Sequence, residues 1–222
     1  GDNNVVEASY IGTDITGTLP LANVLGGVQI DSSASGNSVG GTAAGAGNRI
    51  AFNSGPGVNV EQAGTSGNSV RGNVIFSNAG LGIDLSGDGV TANDSGDGDT
   101  GPNLLQNFPV LASATVSGSD LMVTGTLNST ASMTFEIDFY ASTAADGSGY
   151  GEGVRYLGSA TVTTNGSGNA VIGTTLTGVS VSVGEFNTAT ANDSAGNTSE
   201  FSLNQTAVDG NDAPTLDPTA SP

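Results

Sequence analysis

Gly27-Val28-Gln29-Ile30, Gly57-Val58-Asn59-Val60 and Gly82-Ile83-Asp84-Leu85 share one pattern: glycine, then apolar, polar and apolar residues. Two further phrases recur between them. Gly36-Asn37-Ser38-Val39 returns as Gly67-Asn68-Ser69-Val70, and Asn48-Arg49-Ile50 with Asn53 returns as Asn73-Val74-Ile75 with Asn78. The first shift is 31 residues and the second 25, because residues 42–47 are extra in the first copy. Strands of three or four residues are too short to be stable alone, so repetition at this period predicts a solenoid whose turns stack to bury a shared core. Each turn would carry three strands, centred on Val28/Ile30, Val39 and Ile50, then on Val58/Val60, Val70 and Ile75. Gly and Asn at the corners suit turns that need positive φ. The stacked pairs Asn37/Asn68, Asn48/Asn73 and Asn53/Asn78 are either amide ladders between turns or simply turn asparagines. Asn4-Val5-Val6 reads as the tail of an earlier turn, with residues 11–18 as an excursion from it. The N-terminal Gly1-Asp2-Asn3-Asn4 starts in mid-pattern without a signal peptide, which reads as a piece of something longer.

After Leu85 the repeat gives way to residues 87–103, rich in Gly and Asp. Five carboxylates, Asp84, Asp88, Asp94, Asp97 and Asp99, fall within sixteen positions with no basic residue near them. Carboxylates this close repel unless a cation neutralises them. Ca²⁺ takes six to eight oxygens, and glycines let carbonyls turn toward the ion. Asp84, Asp88, Asn93, Asp94, Asp97, Asp99 and Asn103 are therefore candidate Ca²⁺ ligands, the other reading being a solvated acidic linker.

From Phe108 the pattern alternates over seven stretches, 109–116, 121–127, 134–141, 154–164, 170–176, 185–191 and 199–203, separated by Gly/Asn/Ser turns. Seven short strands without a helical period predict an antiparallel Ig-like sandwich. Its core candidates include Leu121, Val123, Phe135, Ile137, Phe139, Val171, Leu176 and Phe201, with Asp138 facing outward by alternation. The fold expected is thus all-β: a partial right-handed parallel β-helix over 1–86, an acidic insert over 87–107, an Ig-like β-sandwich over 108–205 and a linker over 206–222.

Composition narrows the chemistry. The 222 residues hold 36 Gly, 21 acidic and 3 basic residues and no Cys, His or Trp, for a net charge of −18. The basic residues are Arg49, Arg71 and Arg155. Such a chain repels phosphate backbones and anionic lipid, and no apolar run is long enough to span a bilayer, so neither nucleic-acid binding nor membrane insertion is expected. It has no Ser-His triad, thiol nucleophile, catalytic lysine or imidazole metal site.

Two resemblances add to this. The closing Asp209-Gly210-Asn211-Asp212-Ala213-Pro214 resembles the calcium-binding linker between cadherin-type repeats, which implies Asp209, Asn211 and Asp212 as further Ca²⁺ ligands. Gly12-Thr13-Asp14, Gly40-Gly41-Thr42, Ile75-Phe76-Ser77-Asn78, Thr100-Gly101-Pro102-Asn103, Gln106-Asn107-Phe108-Pro109 and Ala195-Gly196-Asn197-Thr198-Ser199-Glu200-Phe201 resemble phrases of large bacterial secreted or surface proteins, adhesin-like, in which a parallel β-helix precedes an Ig-like module. That likeness implies a non-enzymatic structural or adhesive module outside the cell, or a filament subunit. Its partners would be adjacent modules of the same chain, neighbouring subunits or a surface polysaccharide. The competing readings are a polysaccharide-active β-helix lyase or hydrolase and a carbohydrate-binding module. Arg49 and Arg71 do not occupy equivalent repeat positions, and Asp31 and Asp84 are too isolated in sequence to claim as a catalytic pair.

Overall fold

The computed structural model describes residues 1–210. Within them the chain is all-β, with one short 3-10 turn at Pro102–Leu105. The first nine strands are two or three residues long: β1 (Val5–Val6), β2 (Tyr10–Ile11), β3 (Val28–Ile30), β4 (Ser38–Gly40), β5 (Arg49–Ala51), β6 (Val58–Val60), β7 (Ser69–Arg71), β8 (Val74–Phe76) and β9 (Ile83–Leu85). They pair in parallel as three separate sheets, β1-β4-β7, β2-β5-β8 and β3-β6-β9. Each pass of the chain thus adds one strand to every sheet. Register follows the repeat: Val6, Val39 and Val70 align, as do Ile11, Ile50 and Ile75, and Ile30, Val60 and Leu85. Ile50, Val58, Val60, Val70, Ile75 and Leu85 are buried between the sheets as one apolar column. Ile11 belongs to this stack, paired with Ile50, so the excursion begins after it and not at it.

The corner asparagines do not serve as left-handed turn residues. None of Asn37, Asn48, Asn53, Asn68, Asn73 or Asn78 has positive φ; Gly36, Gly40, Gly67 and Gly72 supply it instead. At Gly40 a Cβ would lie 2.2 Å from Asn73 Oδ1 and 2.4 Å from the Arg71 carbonyl, so only glycine lets the next turn approach. The asparagines form ladders. Asn4 donates to Asn37 Oδ1, and Asn37 donates its backbone N–H and Nδ2 to Asn68 Oδ1 at 3.1 and 2.8 Å. Asn48 donates likewise to Asn73, and Asn23 to Asn53 to Asn78. In a stack this thin the corners would otherwise bury unpaired amides, and one Asn at each of three corners per turn satisfies them.

The remaining strands are β10 (Val110–Ser117), β11 (Asp120–Asn128), β12 (Thr134–Ser142), β13 (Arg155–Thr163), β14 (Asn169–Leu176), β15 (Phe186–Asn192) and β16 (Gln205–Asp209). They form one seven-stranded sheet in the order β13-β12-β15-β16-β10-β11-β14, whose end strands β13 and β14 lie against each other. The sheet is therefore nearly closed, like a barrel, around Leu121, Val123, Phe135, Ile137, Phe139, Ile172 and their neighbours. All its pairings are antiparallel except β10 with β16.

Two expectations change here, and a third holds with an added feature. The last strand is 205–209, not 199–203. Ser199 and Ser202 bond the Ala191 and Ala189 amides through their side-chain oxygens, which displaces a regular ladder. Val171 is 80% exposed while Ala170 and Ile172 face the core, the one-residue offset that exchanges the faces of a strand. Asp138 does point out of the barrel, yet it is 0% exposed because the coil stack lies over it.

Candidate functional site

The acidic loop runs from β9 to the Pro102–Leu105 turn and is folded against the end of β11. Asn107 fixes it from one side: its Oδ1 accepts from the Asp94 amide (3.0 Å) and its Nδ2 donates to the Asp94 and Asn128 carbonyls (both 2.8 Å). Asn128 Oδ1 takes the Gly96 amide at 2.7 Å. Asp97, at φ 58°, accepts from the Asn107 amide and the buried Ser129 hydroxyl. These bonds gather Asp94, Asp97 and Asp99, each able to place one oxygen within 4.8 Å of the others. Because Ca²⁺–O distances are about 2.3–2.6 Å, oxygens with that spread can all touch one ion. Burial, then the neighbouring carboxylates, pushes the Asp97 and Asp99 carboxyls above their usual range. Asp99 Oδ1 is buried without a donor. The donor set is all oxygen, which fits a hard divalent cation.

The other expected ligands lie elsewhere. Asp84 accepts the Gly87 and Gly89 amides and, with Asp88, crowds Glu200 instead of joining the triad. Asn93 is taken by a reciprocal pair with the Phe108 backbone. Asn103 is fully buried as the last rung of the Asn4-Asn37-Asn68 ladder, accepting from the Asn68 amide and donating to the Asn68 carbonyl. A side chain whose oxygen and nitrogen are both committed to buried backbone is not free to bind an ion. Asp209 ends β16 in register with Val116, while Asn211 and Asp212 lie outside the described residues.

What sequence reading did not anticipate is the joint between stack and barrel. The last turn exposes the edges of β7, β8 and β9, and barrel groups bind their amides one by one. Gly67 N–H donates to Asn197 Oδ1, Val70 to Thr198 Oγ1, Gly72 to the Tyr140 hydroxyl and Ile75 to the Gly153 carbonyl. Ser77 and Asn78 donate to the two oxygens of Glu152, and Leu85 donates to Glu200 Oε1 at 2.9 Å. Tyr140 and Phe201 stack edge to face, 5.2 Å between centroids, and close the apolar column of the coils. Beside them Arg71 makes a bidentate pair with Asp138, 2.7 Å on both arms, and a third bond to Glu136. Burial holds the Asp138 carboxyl above its usual value against the guanidinium, while Arg71 is held well above its own and stays charged. Glu152 is raised by burial, and Glu200 is pushed up to about 7 by burial first and then by Asp84 and Asp88. One signal was present in the sequence: with only three arginines among 21 acids, each arginine's partner is informative.

No helix among the described residues is long and apolar enough to cross a membrane. No protein-family model matches the chain, and a search of curated proteins found no match either.

Proposed function

We propose that the chain is a non-enzymatic structural and adhesive module of a large bacterial extracellular or cell-surface protein, stabilised by Ca²⁺ at Asp94, Asp97 and Asp99. In this reading the finer architecture is a partial right-handed parallel β-helix followed by an Ig-like sandwich. The three parallel sheets with one strand per turn support the first half, and the seven short strands around one core support the second. The observation that carries the proposal is the joint: side chains of one unit satisfy the backbone edge of the other, a way of making two folds into one stiff body. The opposite edge, on β1 to β3, leaves Val5 and Tyr10 64% and 53% exposed. Further turns of the same chain or a neighbouring subunit add there by strand pairing. The carboxylates around the structure serve cation binding and solubility and not proton transfer to a substrate.

Two readouts on one sample test this. The chain is incubated with pectin and alginate in Ca²⁺, then assayed for new reducing ends or unsaturated products and for retention on the matrix. Retention or inertness without products is expected; turnover overturns the proposal. A ligand at a hundred times its Kd stabilises by about 2.7 kcal/mol, so Ca²⁺ should raise the melting temperature by about 5–10 °C over EDTA. Asp97→Asn should remove the share of that increment that the 94–99 loop supplies. A melting curve indifferent to chelator removes the calcium part.

A further inference from the structure

The outer face of the β3-β6-β9 sheet carries Gln29, Asn59 and Asp84 in register, one residue per turn. Asp31 and Glu61 come directly after the first two of these strands, and together with Gly87 these residues line an open groove of about 480 Å³. Every polar side chain in it is a carboxylate or a carboxamide, and no aromatic ring or cation lines it. Asn59 is only 8% exposed. Asn59 lines the groove, and its Nδ2 donates to Glu61 Oε1 at 2.6 Å, but its Oδ1 is buried and has no donor. Buried amide oxygens almost always find a partner, so an orphan beside two carboxylates marks a place built for something absent from the chain itself. Gly87, at φ 72°, has no side chain because a Cβ there would lie 2.4 Å from Glu61 Oε1; glycine lets the turn after β9 close over these oxygens.

We infer that Asn59 Oδ1 and the Glu61 and Asp84 carboxylates form a second divalent-cation site, separate from the 94–99 loop. A saccharide commonly needs an aromatic face and several donors, and the groove has no aromatic ring and only the Gln29 and Asn59 amides as side-chain donors, the latter already given to Glu61. A hard cation needs oxygens only and relieves both the orphaned carbonyl and the charge of the two acids.

Calorimetric titration of the whole chain with CaCl₂ tests this, using Asp97→Asn as the background that lacks the loop site. Residual binding is expected in that background, weakened at least tenfold by Glu61→Gln and by Asn59→Leu. Asn59→Leu should also raise the melting temperature in EDTA, since it removes the orphan, while losing the Ca²⁺-dependent increment. A merely structural Asn59 would shift both melting curves equally, which overturns the inference, as does unchanged binding in Glu61→Gln. If Asp97→Asn alone abolishes all binding, this site fails and the loop reading stands. If Asp97→Asn changes nothing and Glu61→Gln abolishes binding, the loop reading fails and this site stands.

Discussion

The two ends of the coil stack are built from the same repeat and finished in opposite ways. At the last turn, eight backbone amides from Gly67 to Leu85 find acceptors on the barrel or on Asn103, and Tyr140 and Phe201 plug the apolar column. At the first turn no described residue covers β1, β2 or β3 from outside, and Val5, Tyr10, Val24 and Leu25 stay exposed. A parallel stack always leaves two strand edges. Here one edge is closed by side chains from a fold of different symmetry, because a barrel cannot continue a parallel ladder but can offer carboxylates, amides and hydroxyls at chosen points. The other edge, on β1, β2 and β3, keeps its ladder polarity and has no strand paired to it among the described residues.

The largest test of that contrast is Arg71→Ala. It removes the ion-pair partner of the fully buried Asp138, which keeps the Asn192 amide and must either hold a buried charge or take up a proton, and should cost about 3–5 kcal/mol by urea denaturation. Arg71→Met combined with Asp138→Leu should recover most of that loss. A single variant within 1 kcal/mol of the parent would mean that the joint is not held by this pair. Next comes pH. The folded chain binds a proton at Glu200 more tightly than the unfolded chain does, with an affinity near pH 7 against an ordinary 4.5. Stability is therefore greatest below the ordinary carboxylate range and falls as pH rises through about 7, by about 3 kcal/mol from this group. Denaturation midpoints at pH 5 and pH 8 should show the fall, and Glu200→Gln should flatten it by that amount; an unchanged slope would place the pH dependence elsewhere. The smallest test compares ladder ends. Asn78→Ala, next to the barrel, orphans the buried amides of Asn53 and should cost about 2–3 kcal/mol, whereas Asn23→Ala at the open end should cost about 0.5–1. Equal losses at the two positions would dissolve the distinction between a sealed and an open end.

Much of this could be read from the chain. The Gly-Val-Gln-Ile repeats placed β3, β6 and β9 in their observed register, and six of the seven barrel strands fall where alternation put them. The ladder pairs Asn37/Asn68, Asn48/Asn73 and Asn53/Asn78 were also the right pairs, with turn geometry supplied by glycines instead. The acidic loop was found but drawn too wide: Asp94, Asp97 and Asp99 converge, while Asn93 and Asn103 answer backbone groups that no spacing rule reveals. Asp138 lies on the outer face as alternation requires, and what alternation does not reveal is that the coil stack covers it.

The division has a physical cause. Strand positions, turn glycines and stacking partners follow from periods of two residues and of one coil, and a period is a property of neighbouring sequence. That determined the all-β parallel stack, the strands of the second unit and the crowding of acids between them. Only tertiary structure decided that Arg71 meets Asp138 and that Glu152 and Glu200 cap the coils, because those groups lie 67, 74 and 115 residues from their partners. Over such separations the choice of partner rests on which surfaces the assembled shapes bring together and on the cost of leaving an amide or a charge unpaired there.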